Sequence, residues 1–225
     1  MLTHGPWTAI PGLHHGFLGR AECDAAAPWG DVVARAGVPL PVATARQVHG
    51  ARVATVTRVG APVEADALAT ATPGLVVGVV TADCVPVLLV DRARRIAAAV
   101  HAGWRGTAAG ILAAAVAHLA AEFGTAASAL EAAIGPAIAG CCYEVGTDVT
   151  DALRAASGDT TTPAWAERRG RRYVDLRIAA GRLLAAAGVE RTTILGPCTA
   201  CGGGYHSYRR DGVRVGRQLS FVGWA

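Results

Sequence analysis

Three short apolar runs follow one another in the middle of the chain: Leu75 to Val80, Val85 to Val90 and Ile96 to His101. Each is too short for a stable helix and is apolar at odd and even positions alike, so each reads as a β-strand covered on both faces. Gly, Pro and Asp bound the runs and supply the turns. Three such strands are expected to form the centre of a sheet, and a sheet buried on both faces calls for helices outside it. Further along, Thr107 is the expected N-cap of a helix whose Ile111, Leu112, Val116, Leu119 and Phe123 fall at helical spacing and which stops at Gly124. Leu130 to Ile134 and Thr192 to Leu195 read as strands, Asp148 to Ala156 and Leu176 to Ala187 as helices. Tyr205 to Arg209 and Gln218 to Val222 read as two last strands around the turn Asp211-Gly212. The order mixes strands and helices without strict alternation. The expected fold class is therefore α/β: a single domain over residues 1–225 with mixed β-sheets and outer helices.

Composition narrows the chemistry. Hydrophobic residues make up 52% of the 225 against 17% charged, which excludes a disordered chain or a nucleic-acid-binding tail. All 21 basic residues are Arg, and the chain has neither Lys nor Asn. A P-loop lysine, a Schiff-base lysine and a site built on an asparagine amide are thereby excluded. Six scattered cysteines do not make a disulfide framework in a chain of this size, so reduced thiols or metal ligands are expected. The first twenty residues do not read as a signal peptide, and the apolar stretch from Gly74 to Val90 carries Asp83 and Pro86 at its middle. A cytoplasmic protein without membrane or nucleic-acid partners is the expectation. Arg168, Arg169, Arg171 and Arg172 read as a short solvated basic loop, and residues 158–170 as a Thr-, Pro- and Arg-rich loop segment.

Polar residues stand where their surroundings are least polar. Cys84 ends one predicted strand in Thr81-Ala82-Asp83-Cys84, His101 ends another, and His49 lies in Arg46-Gln47-Val48-His49-Gly50. Two imidazoles and one thiolate, with a fourth position left to water, are the donors of a catalytic zinc site. The competing reading is a packed thiol and two hydrogen-bonded imidazoles. Asp83 favours function, because a carboxylate in an apolar strand region needs a cation, a histidine or a backbone donor. Gly103-Trp104-Arg105-Gly106-Thr107 reads equally as an anion site at a helix start, with Arg105 as cation, or as a tight turn with Trp104 plugging the core. Arg209 and Arg210 read as further anion contacts or as a surface hairpin. Cys141, Cys142, Cys198 and Cys201 are not expected to share a metal, since adjacent cysteines point in different directions and only one C-x-x-C pair is present. Cys23 reads as a packed thiol, and His4, His14, His15, His118 and His206 have no partner pattern.

Arg46-Gln47-Val48-His49-Gly50, Ala65-Asp66-Ala67-Leu68, Thr81 to Leu88, Val100 to Thr107, Ile134 to Ile138, Tyr143-Glu144-Val145-Gly146 and Ser207 to Asp211 occur in one order. Together they resemble the YfiH family, also called the laccase-domain or polyphenol oxidase family, over roughly residues 42–225. The resemblance implies a YfiH-like, cysteine-hydrolase-type α/β fold with His49, Cys84 and His101 as metal ligands and catalytic residues. It also implies a zinc-dependent purine nucleoside phosphorylase acting on adenosine, inosine, guanosine and methylthioadenosine, with adenosine deaminase activity. Its partners would be a nucleoside and phosphate; on the residues themselves, Arg105, Arg20 and Arg209 are the expected substrate contacts, and Asp83 or Glu144 the proton shuttle, between which the sequence does not choose. The alternatives are a copper-dependent polyphenol oxidase or a cysteine hydrolase editing peptidoglycan precursors. Residues 20–41 are shortened relative to the family and lack its Asn-bearing segment, His206 replaces an aromatic, and Cys201 looks like a local feature.

Overall fold

The three central runs do become strands, but in two different sheets. The computed structural model describes residues 1–23, 27–157 and 164–225; the Thr-rich start of segment 158–170 and part of the shortened 20–41 region lie outside the described residues. In chain order the strands are β1 (Leu13–Phe17), β2 (Val42–Thr44), β3 (Val53–Thr55), β4 (Ala67–Thr70), β5 (Leu75–Thr81), β6 (Val85–Asp91) and β7 (Ile96–Ala102). They continue as β8 (Glu131–Ile134), β9 (Glu144–Val145), β10 (Trp165–Arg168), β11 (Arg171–Val174), β12 (Arg191–Ile194) and β13 (Gln218–Trp224). The α-helices are α1 (Gly5–Thr8), α2 (Trp29–Arg35), α3 (Trp104–Ala108), α4 (Ile111–Phe123), α5 (Thr147–Ser157), α6 (Leu176–Ala186) and α7 (Tyr208–Asp211).

A six-stranded mixed sheet runs β12-β8-β6-β7-β4-β3, with β12–β8 and β4–β3 parallel and the rest antiparallel. A four-stranded sheet runs β1-β13-β5-β2, and β10-β11-β9 form a small antiparallel sheet. Strand alternation builds the layers. Val85, Val87 and Leu89 of β6 face α4, α5 and α6 with Ile111, Leu119, Leu153 and Leu184, while Leu88 and Val90 turn the other way against Val77, Val79 and Val222 of the second sheet. Val76 of β5 points outward again, onto Val32 and Val33 of α2. The order through the molecule is helices, six-stranded sheet, four-stranded sheet, helix. Burial on both faces, as read from the sequence, is met for β5 by a sheet on one side and α2 on the other.

Because β5 and β6 belong to different sheets, residues 82–84 are the crossing between them, and Asp83 adopts φ 91° there. Two other expectations change. Thr107 does not cap a long helix: its amide bonds the Gly103 carbonyl at 2.8 Å inside the short α3, and Gly110 at φ 84° breaks the chain before α4. Tyr205 to Arg209 is not a strand. Ser207 Oγ accepts the Arg210 amide at 3.2 Å and starts the single turn α7, while β13 pairs with β1 and β5 instead.

Candidate active site

His49, Cys84 and His101 come together at one end of the seam between the two large sheets, with their ligating atoms all within 4.8 Å of one another. Cys84 Sγ lies 3.9 Å from His49 Nε2, and the two imidazoles meet edge to face at 4.8 Å between centroids. Three independent segments deliver them: the β2–β3 loop, the crossing between sheets, and the end of β7. Gly103 leaves the space open, since a Cβ there would stand 3.0 Å from both Cys84 Sγ and His49 Cδ2.

Asp66, fully buried at the start of β4, organises this set. Its carboxylate accepts the amides of His49 at 2.9 Å, Gly50 at 2.7 Å and Val48 at 3.3 Å, and it bonds His101 Nδ1 at 2.8 Å. Burial opposes its ionisation, but these donors together hold its pKa below the usual carboxylate range. The bond to Nδ1 fixes the tautomer that leaves His101 Nε2 free for a ligand. Gln47 fastens the same loop to β5 through two 2.8 Å bonds with the Val80 backbone. Burial raises the Cys84 thiol pKa, yet the hydrogen bonds from His101 and His49 outweigh it and bring it down to about 6. Burial likewise works against the His101 charge, which Asp66 and Cys84 restore, raising it to about 9. Without a metal the pair is thus a thiolate beside an imidazolium. The donor set, two nitrogens and one sulfur around a space kept clear by Gly103, fits a three-ligand metal site with an open position.

The site floors a cavity of about 740 Å³. Trp29, Trp104, Tyr143 and Tyr208 give it aromatic walls, and Arg105, Arg209 and Arg217 line it without a carboxylate partner among the described residues. Arg209 Nη1 is held by the Glu144 carbonyl at 2.9 Å. Trp104 satisfies both readings at once, half-buried on the core and facing the cavity. Arg20 lies elsewhere: it pairs with Asp211 at 2.6 Å and lines a separate cavity of about 420 Å³ with Cys23 and Arg35. Neither proposed shuttle is free. Asp83 is occupied by Thr199 Oγ1 at 2.6 Å, Ser207 Oγ at 3.1 Å and the Arg209 amide at 2.7 Å, and Glu144 binds Arg171 at 3.1 Å outside the cavity lining. Thr107 is buried, and its amide is already taken by the Gly103 carbonyl at 2.8 Å.

The description "multi-copper polyphenol oxidoreductase laccase" matches residues 26–225. The chain belongs to that family. Among its relatives, a purine nucleoside phosphorylase of Deinococcus radiodurans is 36% identical over 99% of this chain and 92% of its own length. An adenosine deaminase from an unknown prokaryotic organism is 39% identical over 70% of this chain and 61% of its own. The crystal structure of YlmD from Geobacillus stearothermophilus superposes with a TM-score of 0.81 at 31% identity, covering 98% of this chain and 94% of that one. Family membership confirms the resemblance seen in the ordered motifs and the single-domain α/β architecture. Among the described residues the histidines other than His49 and His101 do not assemble a cluster of copper ligands. His4 and His15 pack edge-on to Trp7, and His118 bonds Thr55 on the surface of α4. Among the described residues only one other group gathers three or more potential ligands: Cys141, Cys142, Cys198 and Cys201, which the sequence reading had kept apart. They meet because residues 140–142 form a turn, in which consecutive side chains diverge by far less than the half-circle of a strand.

The residue that sequence reasoning passed over is Asp66. It stands in the motif Ala65-Asp66-Ala67-Leu68, where a lone carboxylate among apolar residues carries the same signal that singles out Asp83. No helix among the described residues is long and apolar enough to cross a membrane.

Proposed function

We propose that this chain is a zinc-dependent purine nucleoside phosphorylase with adenosine deaminase activity, acting on adenosine, inosine, guanosine and methylthioadenosine. The observation that carries the reading is one cavity that joins aromatic walls, three arginines without acidic partners among the described residues and a His-Cys-His floor. The names of the relatives support it independently. A flat purine stacks between Trp and Tyr side chains, while Arg105, with Arg209 and Arg217, binds a phosphate dianion. Holding phosphate against the nucleoside turns a two-body attack on ribose C1′ into a positioned one; the C1′–N9 bond breaks and the base leaves with the bonding pair. Zinc held by His49, Cys84 and His101 would supply a Lewis acid facing the cavity, lowering the pKa of a bound water and drawing charge from the base. Asp66 keeps the His101 proton on Nδ1 and so keeps Nε2 available. The six cysteines, none of them in a disulfide among the described residues, fit a reducing compartment, and we place the protein in the cytoplasm.

Incubation of purified protein with adenosine, with and without phosphate, tests this directly. Phosphate-dependent adenine and phosphate-independent inosine are expected; zinc-loaded protein that forms neither refutes it.

One observation favours a second reading. Cys84, His101 and Asp66 also stand in the order of a nucleophile, a base and an orienting carboxylate, as in a cysteine hydrolase that would attack an amide. Amide hydrolysis that survives exhaustive chelation but not thiol alkylation would select it. Copper-dependent phenol oxidation has no comparable support from the dispersed histidines.

A further inference from the structure

We propose that Cys141, Cys142, Cys198 and Cys201 form a second metal centre, a closed tetrathiolate zinc site that ties together the two loops flanking the active-site cavity. The four sulfurs all lie within 4.8 Å of one another, Cys201 Sγ standing 3.3 Å from Cys141 Sγ and 3.4 Å from Cys142 Sγ. Four thiolates around a tetrahedral zinc at about 2.3 Å would be spaced by about 3.8 Å, so the cluster needs only small adjustments to close on an ion. A disulfide accounts for the arrangement less well, because Cys201 is as near one neighbour as the other and any single bridge leaves two thiols of the cluster unused.

The backbone around the cluster suits thiolates. The Ala139 amide donates to Cys198 Sγ at 3.3 Å, and the isolated parallel bridge between Ala137 and Cys198 holds the two loops in register. Four thiolates around one zinc carry a net double negative charge, and guanidinium groups hold the loops that bear them, Arg177 and Arg210 being ion-paired with Asp175 and Asp211 as well. Arg168 donates to the Gly140 carbonyl, Arg210 to the carbonyls of Thr199 at 2.9 Å and Tyr205 at 2.8 Å, and Arg177 to that of Gly196 at 3.2 Å. None of the four cysteines lines the catalytic cavity, and four protein ligands leave no open position, which makes the centre structural. Its reach is short all the same. Thr199, next to Cys198, bonds Asp83 beside Cys84, and Tyr143, next to Cys142, forms part of the cavity wall. Metal entry displaces the thiol protons and fixes both loops in one step.

The test separates this centre from the histidine site. The His49→Ala/His101→Ala chain, purified under reducing conditions, should keep about one zinc per chain by elemental mass spectrometry. Replacement by cobalt should give the intense thiolate-to-metal and tetrahedral ligand-field bands of an all-sulfur site. Adding Cys198→Ser/Cys201→Ser should remove the metal. Where that chain fails to fold, Cys141→Ser, at an exposed position, should weaken zinc more than about 100-fold in chelator competition, beyond the usual cost of losing an outer partner. Either of two results overturns the proposal: a His49→Ala/His101→Ala chain without metal whose four thiols all titrate, or a mass short of two hydrogens that reveals a disulfide. Zinc affinity unchanged by Cys141→Ser would overturn it as well.

Discussion

Asp66 and Asp83 are the same residue in the same kind of place, each a buried carboxylate among apolar strands at the seam of the two sheets, yet they do different work. Asp66 collects three amides of the His49 loop and the Nδ1 of His101. Asp83 collects Thr199, Ser207 and the Arg209 amide, all from the C-terminal loops. Burial makes both carboxylates demand donors, but the donors decide the role. An imidazole passes the charge of Asp66 on to the ligand atoms, whereas hydroxyls and an amide leave the charge of Asp83 in the scaffold, where it fixes one wall of the cavity.

The largest effect is expected from Asp66→Ala. Removing one partner of a buried, hydrogen-bonded charge pair costs about 3–5 kcal/mol, and the loss of the group orienting His101 should weaken metal binding by about 100-fold. Thermal unfolding and chelator competition on one preparation read both. Asp83→Ala should destabilise by about 2–4 kcal/mol while changing metal affinity at the histidine site less than about tenfold. Asp83→Asn tolerates the positive φ better than most replacements and should cost less. Equal losses of metal in the Asp66 and Asp83 variants would abolish the distinction between the two carboxylates.

Acid titration sharpens it. The folded Asp66 has a depressed pKa, so its stabilisation is present above the unfolded value near 3.9 and is lost as the pH falls through the lower folded value. Urea unfolding of the metal-free chain should therefore show a steep fall below about pH 4 that is shallower in Asp66→Asn. From about pH 6.5 to 9 the stability should be nearly flat. There the folded chain keeps one proton on His101, raised to about 9, while the unfolded chain keeps one on Cys84, lowered to about 6 when folded. The two contributions, lost on raising pH for His101 and on lowering it for Cys84, cancel.

Much of this was legible in the sequence, and the rest failed for physical reasons. Burial on both faces identified β5, β6 and β7, but periodicity says nothing about which sheet a strand joins, so the crossing at 82–84 was invisible. His49, Cys84 and His101 stood out as polar residues at strand ends. The thiol quartet was set aside because adjacent cysteines point in different directions and only one C-x-x-C pair is present, whereas the turn at residues 140–142 brings the four sulfurs together. The strand expected at Tyr205 was displaced by a local cap, Ser207 on Arg210, reinforced by Asp83 from far away in the chain.

Gly103→Ala probes the space between Cys84 and the two imidazoles. At φ −72° the backbone accepts alanine, so stability should change by less than about 1 kcal/mol, the usual size of a glycine replacement at a compatible position. The new Cβ would press on Cys84 Sγ and His49 at 3.0 Å, however, and metal affinity should fall about tenfold.

The smallest effects should come from two arginines that looked alike in the sequence. Arg105 lines the catalytic cavity over the face of Trp104, 4.4 Å from its centroid, with no carboxylate partner among the described residues. Arg20 is engaged by Asp211 and faces the other cavity. A free guanidinium in a cavity binds an anion, and one already paired must first give up its partner. Arg105→Ala should accordingly raise the KM for phosphate by about tenfold, the cost of one charge-assisted contact, with kcat changed little. Arg20→Ala should leave that KM unchanged. Its ion pair joins the N-terminal segment to α7, so any effect should appear instead as easier proteolysis near residue 20, at the side of the molecule that Asp83 helps to hold through Arg209. A rise in KM in Arg20→Ala equal to that in Arg105→Ala would mean that both cavities contribute to one substrate site.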